Sequence, residues 1–418
     1  MSKELDKLAD AVYKCIRCGS CRAVCPTFGE ELTETSVARG RVALVEAVIE
    51  GKLPMTPLFE KTVFDCAMCG ACKANCPAGV DIPAVVEAAR EVLAREKGSE
   101  GLMRYMARKS LKDKGAMDRA FGLMRLGGAV YGPLTGTPLS KFLPYQEGGK
   151  KRSFPKIPAR PLAKRVPNLS PVDRPKGKVA FYAGCVINYV YPEVGEALVR
   201  VVNRAGYDVQ LVKGELCCGK PLKSLGEAEA FKELAEKTAA QLAEMDVDRV
   251  LTACPTCALT LKEDYSKILT DRAAAERLSG KIEDVNRFLL EKSDILGQLG
   301  HVELSATYHD PCHLNFGMGI KSEPRALIRA SAGGGLIEMA ESERCCGFGG
   351  SFSFLNYCLS GKISGRKAAN IGATGADTVV TACPGCMMHI QDAVKQSGDV
   401  MTTLHTIQLV DMALGRSR

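Results

Sequence analysis

Eighteen of the nineteen cysteines in this 418-residue chain fall into four groups, and only Cys358 stands apart. Two groups are compact runs, Cys15-x2-Cys18-x2-Cys21-x3-Cys25-Pro26 and Cys66-x2-Cys69-x2-Cys72-x3-Cys76-Pro77. Two are spread out, and each contains an adjacent pair. The first of these is Cys185, Cys217-Cys218-Gly219 and Cys254-Pro255-Thr256-Cys257. The second is Cys312, Cys345-Cys346-Gly347 and Cys383-Pro384-Gly385-Cys386. Clustered thiolates select soft metals and iron–sulfur clusters. Side chains on neighbouring residues do not easily share one tetrahedral ion, so each adjacent pair points to a polynuclear centre.

The compact runs have the bacterial ferredoxin spacing, twice. A cubane [4Fe–4S] cluster takes four thiolates, three from the tight turn, and the fourth cysteine of such a run commonly serves the other cluster. The expected sets are therefore Cys15, Cys18, Cys21 and Cys76 for one cubane, and Cys66, Cys69, Cys72 and Cys25 for the other. Zinc sites pair C-x2-C units and do not run four cysteines into a proline.

Helices must hold these runs. Between them, Val42, Leu44, Val45, Val48 and Ile49 recur at helical spacing, and Gly51 supplies a stop. After the second run, "DIPAVVEAAREVLAREKG" reads as another amphipathic helix. This layout resembles the α-helical ferredoxin module of succinate dehydrogenase iron–sulfur subunits and their relatives.

The spread groups belong to one pattern written twice. Cys185 and Cys217 have 31 residues between them, Cys312 and Cys345 have 32. Cys218 and Cys254 have 35 between them, Cys346 and Cys383 have 36. Strand-like and helix-like stretches alternate in both copies, which predicts small α/β layers with mostly parallel sheets. Cys185, Cys254, Cys312 and Cys383 each follow a predicted strand, where sites gather in such sheets. Gly219 and Gly347 supply the tight turns. The pattern resembles the cysteine-rich "CCG" domain of heterodisulfide reductases. That resemblance implies a non-cubane [4Fe–4S] cluster on five thiolates: Cys312, Cys345, Cys346, Cys383 and Cys386 in the second copy. In the first, Cys185, Cys217, Cys218, Cys254 and Cys257 would hold a second such cluster or zinc.

His309 and His313 flank Cys312. His313 is a candidate to lower a thiol pKa or supply a proton, oriented by Asp310, whereas His389 and His405 read as structural. Cys358, in a helical stretch, reads as a buried small hydrophobe.

Residues 101–178 hold 18 Lys and Arg against 4 Asp and Glu, a net of +14. The whole chain is +8, so the remainder is 8 − 14 = −6. That uneven balance argues against a nucleic-acid binder. The Pro-rich part reads as an extended linker, either a solvated tether or a strap over an acidic partner or anionic membrane face. The opening "MSKELDKLAD" lacks a signal pattern, and no apolar run suits a transmembrane segment. The expectation is a cytoplasmic protein, with peripheral attachment at the inner membrane face left open.

The order of modules resembles iron–sulfur subunits of glycolate oxidase, D-lactate dehydrogenase and anaerobic glycerol-3-phosphate dehydrogenase. "CCGFGGSFSF" also resembles lactate-utilisation iron–sulfur proteins, which lack the full layout. The resemblance implies an electron-transfer subunit of a flavin-dependent 2-hydroxy-acid dehydrogenase. FAD would sit on a partner subunit, because no G-x-G-x-x-G or P-loop is present here, and electrons would pass to a quinone or another carrier. The competing reading is a heterodisulfide reductase-like catalytic subunit that cleaves a disulfide at the non-cubane cluster. The expected fold class is α+α/β. Residues 1–100 form the α-helical ferredoxin module, 101–176 the basic helical segment and Pro-rich linker, 177–300 the first CCG domain and 301–418 the second.

Overall fold

Apolar periodicity of 3.6 residues dominates the first ninety or so positions, and a computed structural model of the chain shows helices there. It describes residues 8–96, 102–134, 146–147 and 150–415. No strand lies among residues 8–96. The central helix is Ala38–Ile49, which buries Val42, Val45, Val48 and Ile49. Leu44 packs only partly against that core, and the chain turns at Gly51 with φ +70°. The helix Ile82–Glu96 buries Val85, Val86, Ala89 and Leu93 in the same core.

The middle of the chain begins as two helices, Leu102–Leu111 and Lys114–Leu134. Positions 135–139 of the Gly/Pro-rich stretch lie outside the described residues. The basic, Pro-rich segment beyond is anchored along part of its length, contrary to the reading as a tether. Leu162 is 1% exposed and joins the first CCG core. The Arg152 guanidinium donates to the Ser353 carbonyl and lies over the rings of Phe354, Phe154 and Tyr357. The Ser153 N–H donates to Asp392. Prolines keep its regular elements short, a 3-10 turn at Leu162–Lys164 and a two-residue strand at Leu169–Ser170, yet apolar and planar cationic groups among them still find pockets.

Eight strands follow. Strands β1 (Leu169–Ser170), β2 (Lys178–Phe181), β3 (Asp208–Leu211), β4 (Arg249–Thr252) and β5 (Ile282–Asp284) form one sheet, ordered β1-β3-β2-β4-β5. Only the edge strand β1 is antiparallel, paired to β3. Strands β6 (Ala306–His309), β7 (Thr378–Thr381) and β8 (Thr402–His405) form a parallel sheet, ordered β8-β7-β6. The free edge of β6 carries an isolated parallel bridge, Ala306 to Leu336, where β3 lies beside β2 in the first copy. Every residue of β6 and β7 is buried, as expected for parallel strands covered on both faces.

Helices Pro192–Arg204 and Ala228–Ala243 serve the first sheet, and Ser322–Ser331 and Tyr357–Gly372 the second. The two copies share a core. Helix Thr406–Leu414 sends Ile407 and Val410 among Val194, Leu198 and Val201, and Arg200 pairs with Asp411 at 2.6 Å. Cys358 is exposed, a correction to its reading as a core residue: it occupies the outward side of its helix between buried Tyr357 and Leu359.

Candidate metal centres

The two compact runs adopt the same local backbone. Arg17 and Met68, each just before the second cysteine of its run, have φ +54° and +55°. Such values are uncommon for bulky residues, and their recurrence at one motif position marks a shared loop shape. Cys21 neighbours Cys25 and Cys15, and burial pushes its thiol pKa up. Cys72 neighbours Cys69, Cys66, Cys25 and Cys21, and burial again raises its pKa. Cys25 thus lies among the thiols of the second run as well as its own. Cys76 is tied to its own loop, where its Sγ accepts from the Val80 N–H at 3.4 Å. It packs against the same core as Cys15, Cys66 and Cys72.

Two arginines close over the second run. Arg41 and Arg90 are each 1% exposed. Arg41 donates to the carbonyls of Thr62, Ser36 and Asp65, and Arg90 to those of Val63, Phe64, Cys66 and Ser224. Burial lowers the Arg90 pKa to about 10. Carbonyls satisfy the N–H groups without supplying charge, and a buried cation requires a counter-charge. An anionic cluster on the adjacent thiolates would provide it, so the donor set and its surroundings fit a [4Fe–4S] centre.

The spread cysteines converge as the repeat predicts. In the second copy Cys346 Sγ is 3.4 Å from Cys386 Sγ, Cys312 neighbours Cys345, and Cys386 neighbours Cys383. In the first, Cys217 meets Cys185 and Cys218, while Cys257 meets Cys218 and Cys254. Gly219 and Gly347 have φ +86° and +91°. A Cβ there would meet Phe231 at 2.6 Å and the Ser360 carbonyl oxygen at 2.8 Å, so only glycine fits either turn. Their N–H groups donate back to Cys217 Sγ at 3.5 Å and Cys345 Sγ at 3.4 Å. Cys254 and Cys383 are extended residues at helix N-termini, each followed by proline in the first helical position. Hydrogen bonds from neighbouring thiols hold Cys218 and Cys346 well below the usual thiol range. The same direction holds for Cys383, so thiolate, the form that binds metal, is favoured at more than one position of the second set.

The four groups also touch one another. Cys69 of the second compact run neighbours Cys345, and Cys254 of the first copy neighbours Cys383 of the second. Taken with Cys25 beside Cys69 and Cys72, thiols run from the first compact run through the second, then the second CCG set, then the first.

His313 stands at that junction. Its Nδ1 is 2.9 Å from Thr256 Oγ1, and its Nε2 is 3.4 Å from the Met68 carbonyl oxygen. Asp310 does not orient it, a correction to the sequence expectation. Both Asp310 oxygens accept from Arg325 at 2.7 Å, a bidentate pair that a planar guanidinium favours. His389 bonds Ser360, and His405 caps the last helix and meets the Ala253 carbonyl. Sequence reasoning missed Glu215, whose buried carboxylate accepts from the N–H groups of Ala183 and Gly184 beside the first set. Burial raises its pKa to about 8. It also missed Arg41 and Arg90, since a buried arginine has no signature in a single sequence.

Residues 179–262 and 306–391 match the Cysteine-rich domain family, CCG, and residues 11–80 match the 4Fe-4S dicluster domain family. The chain is 30% identical over 421 residues to the "Probable glycolate oxidase iron-sulfur subunit" of Bacillus subtilis, covering 96% of this chain and 93% of that one. It is 31% identical to "Lactate utilization protein A" of Shouchella clausii over 56% of this chain and 98% of that one. It is 32% identical to a subunit of "Fumarate reductase (CoM/CoB)" from Methanothermobacter marburgensis over 57% of this chain and 47% of that one. No helix among the described residues is long and apolar enough to cross a membrane. With a dicluster domain, two CCG domains and near full-length likeness to such a subunit, the chain belongs to the glycolate oxidase iron–sulfur subunit family.

Proposed function

We propose that this chain is the electron-transferring subunit of a flavin-dependent 2-hydroxy-acid dehydrogenase, with glycolate or D-lactate as donor and FAD on a partner subunit. Iron–sulfur clusters, when bound, would supply the one-electron steps between that flavin and a quinone or other carrier. The observation that carries the reading is the unbroken row of thiol neighbours through all four groups, by way of Cys25, the Cys69–Cys345 contact and the Cys254–Cys383 contact. The chain would span an α-helical ferredoxin module (1–100), a basic segment (101–176) and two α/β CCG domains (177–300 and 301–418).

In this reading Cys15, Cys18, Cys21 and Cys76 hold one cubane, and Cys66, Cys69, Cys72 and Cys25 the other. Cys312, Cys345, Cys346, Cys383 and Cys386 hold a non-cubane cluster. Cys185, Cys217, Cys218, Cys254 and Cys257 hold a second one, or zinc. The residues around them exclude water and fix the thiols: Arg41 and Arg90 over the second run, Gly219 and Gly347 in the turns, His313 at the junction.

The test mixes the anaerobically purified chain with its FAD-linked partner and either glycolate or D-lactate. Cluster absorbance should bleach only when partner and hydroxy acid are both present. The disulfide-cleaving alternative draws on the likeness to the Methanothermobacter fumarate reductase (CoM/CoB) chain. Disulfide cleavage by this chain alone, driven by reduced viologen, would replace the first reading with the second.

A further inference from the structure

His309 is the last residue of β6, three positions before Cys312, and it is fully buried. Its Nδ1 is 3.2 Å from the carbonyl oxygen of Ser342. A carbonyl only accepts, so Nδ1 carries the proton and Nε2 of the neutral ring presents a lone pair. Among the described residues nothing hydrogen-bonds to Nε2. That atom, Cys346 Sγ and Cys386 Sγ all lie within 4.8 Å of one another. The Ser342 carbonyl is fixed in turn by buried Lys367, whose Nζ donates to it at 3.2 Å and also to the Glu341 carbonyl. A ring with one nitrogen donating to a fixed carbonyl and the other left open toward thiolates is how proteins prepare a metal-binding histidine.

The first copy makes a natural control. Tyr182 stands three residues before Cys185, in register with His309 before Cys312. It too is buried, near Cys218 and Cys257, the counterparts of Cys346 and Cys386. Its hydroxyl donates to the Leu216 carbonyl at 2.8 Å, so the phenol too is held by a backbone carbonyl, and it stays protonated rather than presenting an open ligand atom. The two five-cysteine sets therefore differ in kind, one lined by a phenol ring and the other by an open imidazole nitrogen.

We propose that His309 Nε2 is a sixth protein ligand of the metal centre held by the second CCG cysteines, and that the first CCG site lacks such a ligand. The inference rests on the reading of Cys346 and Cys386 as metal ligands. An open, fully desolvated lone pair has no other partner there, and leaving it unmatched is costly.

The test uses the full-length, iron-loaded chain with 15N placed only in its five histidines. Hyperfine sublevel correlation spectroscopy is recorded in the redox state that makes the second CCG centre paramagnetic. The wild type should show a 15N coupling of the size of a directly bound imidazole. The coupling should vanish in His309→Ala and persist in His389→Ala. Iron content, compared with Cys346→Ser, separates the two ways to fail. Iron missing from the second CCG site of the wild type would overturn both the metal reading and the ligand. Iron present with no bound-nitrogen coupling would overturn the ligand alone, as would a coupling that survives in His309→Ala. If His309→Ala loses its iron or does not fold, the labelled wild type and His389→Ala still decide between bound and unbound nitrogen. A His309→Gln variant then checks whether iron is retained without the imidazole.

Discussion

Glu87→Ala is expected to loosen the junction between the helical module and the first CCG domain. Glu87, on helix Ile82–Glu96, pairs with Lys220 at 3.2 Å and Lys223 at 2.9 Å. The same lysines pair with Asp264 at 3.2 and 2.6 Å. All four side chains are 9–14% exposed, which removes them from the class of surface pairs that contribute little. At an effective dielectric of about 20, one such pair is worth roughly 5 kcal/mol before desolvation. Glu87 makes two, and desolvating the charges cancels much of that. Removing one partner of a buried network typically costs about 3–5 kcal/mol, because the remaining charges stay buried. Hydrogen exchange of the iron-loaded chain reads this locally. Amides of Lys220–Ser224 and Ile82–Glu96 should exchange faster by roughly two to four powers of ten if they open through the junction. Adding Lys220→Met to Glu87→Leu should recover much of the loss by removing one cation with its anion. The pH dependence has a definite sign. Burial raises the pKa values of Glu87 and Asp264, but Lys220 and Lys223 outweigh it and hold both below their usual values. Their contribution is full above about pH 4.3, the free glutamate value, and is lost as pH falls through the lower folded values. An acceleration of less than about tenfold at neutral pH would place the network with ordinary surface pairs and refute the argument.

Cys76→Ser is expected to damage the cluster of Cys15, Cys18 and Cys21, as cross-ligation requires; loss confined to the Cys66 cluster would show that each run serves itself. The helical module should hold about eight irons in the wild type. Cys346→Ser should remove the spectroscopic signal of the second CCG centre and leave both cubanes reducible. Arg152→Ala should cost about 1–3 kcal/mol locally, through lost ring contacts and hydrogen bonds to Ser353. Faster limited proteolysis within residues 152–176 is the measurement, and an unchanged rate would mean the segment is held elsewhere.

Cysteine spacing makes the positions of the centres readable from the chain alone, because iron–sulfur chemistry constrains ligand intervals tightly. Strand β2 and helix Pro192–Arg204 are readable from periodicity, as are their counterparts in the second copy. The contacts between sites are not. That Cys254 meets Cys383 depends on how two sheets share a core, and no local pattern encodes it. The anchoring of the Pro-rich segment is hidden for a similar reason: Leu162 and Val166 are scattered among prolines and basic residues without a helical or strand period, and only the core they meet gives them meaning. Asp310 is misassigned by sequence because His313, three residues along the chain, is not its partner in space, where Arg325 stands one helix later. Cys358 is misplaced because composition favours buried thiols, whereas helix phase decides the individual case.

The Cys69–Cys345 contact has a consequence for how the protein is made. These two thiols come from different modules and are 8% and 4% exposed once the modules meet. A carrier delivering iron and sulfide needs open access to its target, and the closed junction does not offer it. Cofactor delivery at that seam therefore belongs before the modules close or during their closure.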